Sequence, residues 1–396
     1  MENMKLRILD YYDVLEEIKR ITKNKMFKKE KSINTDLDNI EVPYYTLGKG
    51  NNHFVIVGGT HGSEIITTDF VLRLMEEISK KRGIFSNIDL ENDYTFHFIP
   101  IHNVEGYIIS TSSIRTLIKK DFSEEKIEEI AKEYFLRYRQ DDINVKKNPL
   151  DFSHKLHQKM FENVTYQCIP DEFVNLKKSV QKIYDNPLVP KGSIVVHRGN
   201  GLGEETNRCN CIDEIIATPY LNNRYNNINF LIPGPLGVTP ERELNLNIFL
   251  EELIEKLYNE KKFAGMLSFH STGGMIYSKL NVDNIYNDCK LNKKKMCYIN
   301  NVLVESYSKN TSYSTDLGVK EGYKIMDSLG LGYFDEQLRI KYPACLLIEL
   351  SYMGGNPIGP YGDKKNNYVP TIESNLKASY YFFEKCKELK EMMYEK

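Results

Sequence analysis

A short apolar run near the start of the chain ends in two glycines and is followed at once by a histidine and a carboxylate. The run is His53-Phe-Val-Ile-Val-Gly-Gly-Thr, and His61 and Glu64 come directly after it. A run of this kind predicts a buried strand, and the glycines predict a tight turn out of it. Imidazole and carboxylate are both ligands that Zn²⁺ accepts. A simpler interpretation, in which His61 caps the following helix and Glu64 favours its positive N-terminal end, stays open at this point.

Two more apolar runs end in side chains of the same kind. Phe263-Ala-Gly-Met-Leu-Ser-Phe predicts a strand that ends in His270, and Ala344-Cys-Leu-Leu-Ile predicts a strand that ends near Glu349. A lone carboxylate in such a strand is costly unless it is paired or lies close to a metal. Because ligands collect at the carboxyl ends of strands in open α/β sheets, we expect His61, Glu64 and His270 to bind one zinc ion near Glu349.

The order of the elements around the first motif indicates the fold class. A strand over about 53–59, a helix over about 63–82 and a strand over about 94–101 follow one another. Strand, helix and strand in this order predict a crossover unit. We therefore expect an α/β chain with a mixed, largely parallel central sheet, helices on both faces and a helical insertion.

These motifs together resemble the zinc metallocarboxypeptidases. The family pattern Pro-x-x-Asn-Pro-Asp-Gly-Tyr is echoed, with substitutions, at Pro100, Asn103, Glu105, Gly106 and Tyr107. The resemblance covers roughly residues 45–110 and 200–385. The neighbourhood of Gly58–Glu64 also resembles the aspartoacylase and succinylglutamate desuccinylase branch. Both resemblances imply a zinc carboxypeptidase-like fold, one Zn²⁺ per chain and hydrolysis of an amide bond.

The resemblance implies a role for each candidate residue. Zinc held by His61, Glu64 and His270 leaves a fourth position for water, whose pKa the metal lowers to about 7. Glu349 then serves as general base and returns the proton to the leaving amine. Arg208 is the candidate for polarising the substrate carbonyl.

A second pair of residues is the candidate for holding the terminal carboxylate of the substrate. The family segment Asp-Leu-Asn-Arg-Asn-Phe aligns either with 221–226, which places Asn223 and Arg224 at the carboxylate clamp, or with 225–230, which places Ile228 at the Arg position. Neither register contains the family's Asp, so the support that it gives to a zinc-ligand histidine is lost unless another residue substitutes for it. Arginines on polar loops are common, so a surface role for Arg208 and Arg224 stays open. Tyr277 and Tyr323 are candidates for lining the substrate pocket.

Three regions are expected along the chain. Residues 1–40 are interpreted as an N-terminal helical extension, and 41–396 as the catalytic domain. A charged helical insert at about 112–191 interrupts that domain. We expect the insert to form a subdomain beside the mouth of the active site.

Composition limits the partners and the compartment. Lys and Arg total 53 against 55 Asp and Glu, so no broad attraction to nucleic acid or to a membrane surface is expected. Seven cysteines are sparse for this length, which argues against a disulfide framework. The sequence shows neither a signal peptide nor an apolar stretch long enough to span a bilayer, so a cytoplasmic location is expected.

Three functions are compatible with these sequence motifs. The first is a metallocarboxypeptidase that acts on peptides or on peptidoglycan stem peptides. The others are an N-acyl amino acid deacylase, whose substrate is a small acyl-amino acid, and a catalytically weak binding homologue. Acidic residues such as Asp335 are treated as ordinary surface carboxylates that reveal no side-chain preference. The sequence does not predict the oligomeric state.

Overall fold

A computed structural model describes the fold of this chain. The parts it describes are residues 7–117, 164–185, 194, 197–204, 206–208, 243–271, 274–276, 280, 289–311, 313, 334–350 and 368–395. The strands in these parts are β1 Phe27–Lys29, β2 Tyr45–Gly48, β3 Asn52–Val57, β4 Tyr94–Ile99, β5 Phe263–His270, β6 Met275–Ile276 and β7 Cys345–Glu349.

These strands form one sheet whose centre is parallel and whose edges are antiparallel. The strand order is β1-β2-β4-β3-β5-β7-β6. Strands β4, β3, β5 and β7 run parallel to one another, whereas β1, β2 and β6 pair antiparallel at the two edges. The central strands are near-continuous apolar runs, as expected for strands that are buried on both faces. All residues of β4 and β5 are buried.

Helices cover both faces of this sheet. The described helices are α1 Tyr11–Ile21, α2 Ile65–Ser79, α3 Val104–Leu117, α4 Val174–Tyr184, α5 Asn245–Asn259, α6 Lys293–Ser308, α7 Phe334–Lys341 and α8 Tyr368–Tyr394. On one face, Phe383 of α8 packs edge-on against Phe54 of β3 and Phe96 of β4. The next residue of β4, His97, points to the opposite face because side chains alternate along a strand. There it stacks on Tyr44, which in turn contacts Phe249 of α5. The predicted fold class is confirmed.

The N-terminal helix α1 packs on the same core as the sheet. Asp10 begins it with a capping box, in which its side chain accepts from the Asp13 backbone N–H at 2.8 Å. Its buried residues Val14, Ile18 and Ile21 recur at helical spacing and join the main apolar cluster. The boundaries expected at 40 and at 112–191 stay predictions, since 118–163 lies outside the described residues.

The topology brings three strand ends to one edge of the sheet. Strands β3, β5 and β7 are adjacent and parallel, so their carboxyl ends lie side by side. The candidate ligands follow or end these strands. Among the helices in the described ranges, none combines the length and the apolar character needed to cross a bilayer.

Candidate metal centre and active site

The turn after β3 places the first two candidate ligands. Gly59 adopts φ +64°, a left-handed conformation that glycine reaches without strain. Its N–H donates to the Thr67 hydroxyl at 2.9 Å, and that hydroxyl donates to the Glu64 carbonyl at 2.7 Å. Glu64 is the N-cap of α2, but its side chain makes no capping hydrogen bond. Its carboxylate turns instead toward His61.

The three predicted ligands meet in the folded chain. Their donor atoms all lie within 4.8 Å of one another, and the three side chains are buried. His61 Nδ1 lies 2.8 Å from Glu64 Oε1 and 3.2 Å from His270 Nδ1. His270 Nδ1 lies 3.4 Å from Glu64 Oε2. The Ser271 N–H donates to the same Glu64 oxygen at 3.0 Å and holds it in place.

This donor set fits zinc. A tetrahedral zinc site with metal–nitrogen bonds of about 2.0–2.1 Å places its ligand atoms roughly 3.3–3.4 Å apart. The separations of 2.8, 3.2 and 3.4 Å lie close to that value. Two imidazoles and one carboxylate also form the set that catalytic zinc sites use while they keep one position open.

The charges of the cluster are mutually stabilising. Burial alone would raise the pKa of Glu64, but His61 and His270 lower it well below its usual range. Burial alone would lower the pKa of His270, but the carboxylates of Asp335 and Glu64 raise it well above its usual range. The cluster therefore holds buried charge: a divalent cation can replace the proton on the imidazole and neutralise the carboxylate.

Glu349 stands beside His270 in the sheet. The two residues are register partners in the parallel pairing of β5 and β7, so their Cβ atoms leave the sheet on the same side. The N–H of Leu350 donates to the His270 carbonyl at 2.8 Å, which continues the ladder past Glu349. Glu349 is half-buried, whereas the rest of β7 is buried. The predicted general base thus lies at the carboxyl end of its strand, next to the candidate ligand His270.

Asp335 supports His270 from the side opposite the cluster. It lies in the first turn of α7, and its Oδ2 accepts from His270 Nε2 at 2.6 Å. Both side chains are only 2% exposed. Burial opposes the charge on Asp335, but His270 lowers the pKa of this carboxyl below its ordinary value. The carboxylate fixes the tautomer that leaves Nδ1 directed at the cluster, the arrangement typical of metal-ligating histidines.

Comparison with known proteins agrees with this geometry. The family model for zinc carboxypeptidase matches residues 21–161, a range that contains His61 and Glu64. Bovine thrombin-activatable fibrinolysis inhibitor, solved in complex with tick carboxypeptidase inhibitor, superposes with a TM-score of 0.50 at 14% identity, covering 96% of this chain and 95% of that one. Carboxypeptidase A from Helicoverpa armigera gives a TM-score of 0.51 at 10% identity, covering 97% of this chain and 75% of that one. No curated protein sequence matches.

The chain is zinc carboxypeptidase-like. The family match ends at residue 161, so it does not reach His270 or Glu349. The folded structure brings His270 to His61 and Glu64 and places Glu349 beside His270 in the sheet, and the carboxypeptidase-like fold agrees with that placement. The predicted resemblance to zinc carboxypeptidases is confirmed, and the folded chain contains the predicted candidate metal site.

The remaining predicted site residues of this carboxypeptidase-like chain are placed only in part. Arg208 ends a 3₁₀ turn over Thr206–Arg208 that lies against the metal centre. In that turn the Thr206 hydroxyl donates to the Thr60 carbonyl at 2.6 Å, and Asn207 Oδ1 accepts from the Asp335 N–H at 3.0 Å. The backbone of Arg208 is therefore close to the site. The other four candidates lie outside the described residues: Asn223, Arg224, Tyr277 and Tyr323.

Two residues of the site were missed or misjudged from the sequence. Asp335, interpreted as a surface carboxylate, is buried and supports His270. Arg198 was not singled out, yet its Nη2 lies 3.2 and 3.1 Å from the two ring nitrogens of His61. Its Nη1 lies 3.8 Å from Glu64 Oε1. The only sequence signal for Arg198 is the glycine that follows it after a short apolar run, and that signal is weak.

Proposed function

We propose that this protein removes residues from the free carboxyl end of peptides, or of peptidoglycan stem peptides, by zinc-dependent hydrolysis of an amide bond. One observation carries this proposal: His61, Glu64 and His270 converge on one point while Glu349 is the register partner of His270. When bound to such a His₂Glu set, zinc acts as a Lewis acid toward the substrate carbonyl and activates a water molecule.

Glu349 is proposed to transfer the proton. A carboxylate at the end of a strand beside the metal ligands can accept the proton of the attacking water and return it to the leaving amine. Its partial exposure agrees with a group that must reach both water and substrate. Asp335 is instead proposed to hold the His270 ring, since its carboxylate accepts from His270 Nε2.

Two arginines are proposed to interact with the carbonyl oxygen of the substrate. Arg198 has its guanidinium at His61 and Glu64, and 28% of its side chain is exposed. A fixed cation in this place can stabilise negative charge that develops on the carbonyl oxygen. Arg208 keeps its proposed role in polarising the same carbonyl, which the location of its 3₁₀ turn supports.

The substrate-binding residues stay proposals from the sequence. Asn223 and Arg224 are proposed to clamp the terminal carboxylate, and Tyr277 and Tyr323 to line the pocket. A bidentate guanidinium suits a carboxylate of this kind. A cytoplasmic location and the absence of nucleic-acid and membrane partners are likewise proposed from the sequence.

The two alternative functions have less support. The family model that matches is that of the zinc carboxypeptidases, which does not favour an N-acyl amino acid deacylase. A silent binding homologue would not need a carboxylate in the position of Glu349.

The test of this proposal compares one catalytic and one ligand variant. Glu349→Gln should abolish hydrolysis of peptides with a free carboxyl end while about one zinc per chain is retained. His270→Ala should lose the zinc as well. Glu260→Gln, which changes an exposed carboxylate at the end of α5, is the matched control and should retain both properties.

The substrate class is determined by assaying the wild-type protein on a set of candidate substrates. Peptides with a free carboxyl end, their C-terminal amides, stem peptides and acyl-amino acids are compared at equal concentration. Faster release from the free acids than from the amides supports a carboxypeptidase. Undiminished activity of Glu349→Gln, or preferential cleavage of acyl-amino acids, would contradict the proposal.

A further inference from the structure

A buried carboxylate near the metal centre joins two segments that are distant in sequence. Glu105 lies in the first turn of α3 and is 3% exposed. Its Oε1 accepts from the Leu37 N–H at 2.8 Å, and its Oε2 accepts from the Gly201 N–H at 2.8 Å. Each oxygen therefore holds the backbone of a different segment.

The first segment, residues 33–41, is here called the N-terminal turn. The Thr35 N–H donates to the Ile40 carbonyl at 2.8 Å, which closes the turn on itself. At its tip, the Asp38 carboxylate accepts from two backbone N–H groups at the start of α4, at 3.0 and 2.8 Å. The N-terminal turn is thus held between Glu105 on one side and α4 on the other.

The second segment, residues 197–204, is here called the arginine loop because it carries Arg198. The Arg198 carbonyl accepts from the Gly62 N–H at 3.2 Å and from Asn103 Nδ2 at 3.2 Å. The same amide nitrogen donates to the Gly199 carbonyl at 2.9 Å. The arginine loop is therefore bonded directly to the turn that presents the metal ligands and to the residues just before α3.

Close backbone packing leaves the arginine loop little freedom. A Cβ atom on Gly201 would lie 2.4 Å from a methyl carbon of Leu176 and 2.8 Å from Glu105 Oε2. A Cβ atom on Gly106, next to Glu105, would lie 2.2 Å from the Gly199 carbonyl oxygen. Because these segments are tightly packed, a displacement of Glu105 would also displace the arginine loop.

The chemistry of Glu105 suits a group that holds two donors. Burial is the main cause that raises the pKa of this carboxyl to about 7, against the hydrogen bonds from Leu37 and Gly201, which lower it; the charge of Asp36 acts in the same direction as burial. Retaining an acid here is unfavourable unless its two oxygens are needed as acceptors. Glutamine has the same shape but only one acceptor oxygen, so it cannot replace both bonds.

We propose that Glu105 is a positioning residue that clasps the N-terminal turn to the arginine loop and thereby fixes the Arg198 guanidinium beside His61 and Glu64. This inference rests on the proposed function, in which Arg198 stabilises charge on the substrate carbonyl. It gives a role to Glu105, the residue that stands where the family pattern of the 99–107 segment has Asp.

The kinetic test uses full-length Glu105→Gln. We expect kcat/KM to fall roughly 10- to 100-fold, because a displacement of about 1 Å at a catalytic group can cost 10²-fold. The zinc content should be unchanged. In an Arg198→Ala background, Glu105→Gln should lower kcat/KM by less than about two-fold, since its effect passes through the missing guanidinium. Glu41→Gln, an exposed carboxylate at the end of the N-terminal turn, is the control and should match wild type.

The second readout is amide hydrogen exchange, which does not depend on activity. Peptides covering 33–41 and 197–204 should exchange faster in Glu105→Gln than in wild type, with the rest of the sheet unchanged. Unchanged exchange, or a multiplicative loss of kcat/KM in the double variant, would overturn the clasp. A wild-type protein that cleaves no free-acid peptide would refute the proposed function alone, because the exchange result stands without it.

Discussion

Removing the carboxylate behind His270 tests whether the metal centre depends on its supporting residue. Asp335 accepts from His270 Nε2 at 2.6 Å, and both side chains are 2% exposed. A charge-assisted bond in such a setting contributes about 1.5–3 kcal/mol, and a neutral one about 0.5–1.5 kcal/mol. Loss of a partner of this kind lowers metal affinity by about 10- to 100-fold.

Two substitutions separate the charge from the contact. Asp335→Asn keeps an acceptor oxygen but loses the charge, so we expect zinc affinity to fall by roughly 5-fold, from a difference of about 1 kcal/mol. Asp335→Ala removes both, and we expect the full loss of about 10- to 100-fold. The zinc dissociation constant is measured by competition with a chromophoric chelator at constant pH and salt.

A matched control excludes a general effect of surface charge. Asp93→Asn removes a carboxylate that is 40% exposed and paired with Lys387, and its zinc affinity should equal that of wild type. The secondary structure of the metal-free variants is checked by circular dichroism. Zinc affinity of Asp335→Ala within two-fold of the control, in a folded protein, would refute the argument.

Three further predictions address stability, packing and substrate binding. Burial lowers the pKa of His97 to about 3, so the unfolded chain binds more protons than the folded chain below about pH 6.5. The free energy of unfolding should therefore fall by about 2 kcal/mol between pH 7 and 5. Denaturant unfolding of His97→Gln should show a smaller fall over the same pH range, and an equal fall would exclude His97 as the cause. Gly62→Ala would place a Cβ atom 2.2 Å from the backbone of Gly106, so it should lower the free energy of unfolding by roughly 1–3 kcal/mol and reduce zinc content. Gly83→Ala, which has nothing within 4 Å of its Cβ but a φ of +51°, should lose about 1–2 kcal/mol through backbone strain and leave zinc content unchanged. Arg224→Ala should remove the preference for a free-acid peptide over its amide, and an unchanged ratio of rates would exclude a carboxylate clamp at that position.

The strands that carry the metal ligands were predictable because their signals are local. A buried strand needs a continuous apolar run, and a turn at its end needs glycine, so the ends of β3, β5 and β7 are visible in the sequence. The adjacency of these ends was predictable from the rules for parallel sheets. A role for Glu64 only at the N-terminal end of the helix could not be excluded from the sequence, because a helix terminus and a metal site both favour a carboxylate.

The supporting residues were not predictable because their partners are distant in sequence. Asp335 lies 65 positions from His270, and Arg198 lies 137 positions from His61. An aspartate in a polar helix and an arginine in a loop have the same local pattern whether they face solvent or a metal centre. Only the packing of α7 and of the arginine loop decided which they face.

The sequence by itself predicted the three candidate ligands, the neighbouring acid and the class of sheet that holds them. Each follows from a short pattern whose physical requirements are met within a few residues. The tertiary structure alone decided what surrounds that set: the buried Asp335, the Arg198 guanidinium and the Glu105 clasp. Desolvation and hydrogen bonding give these groups their roles, and both depend on segments that meet only after the chain has folded.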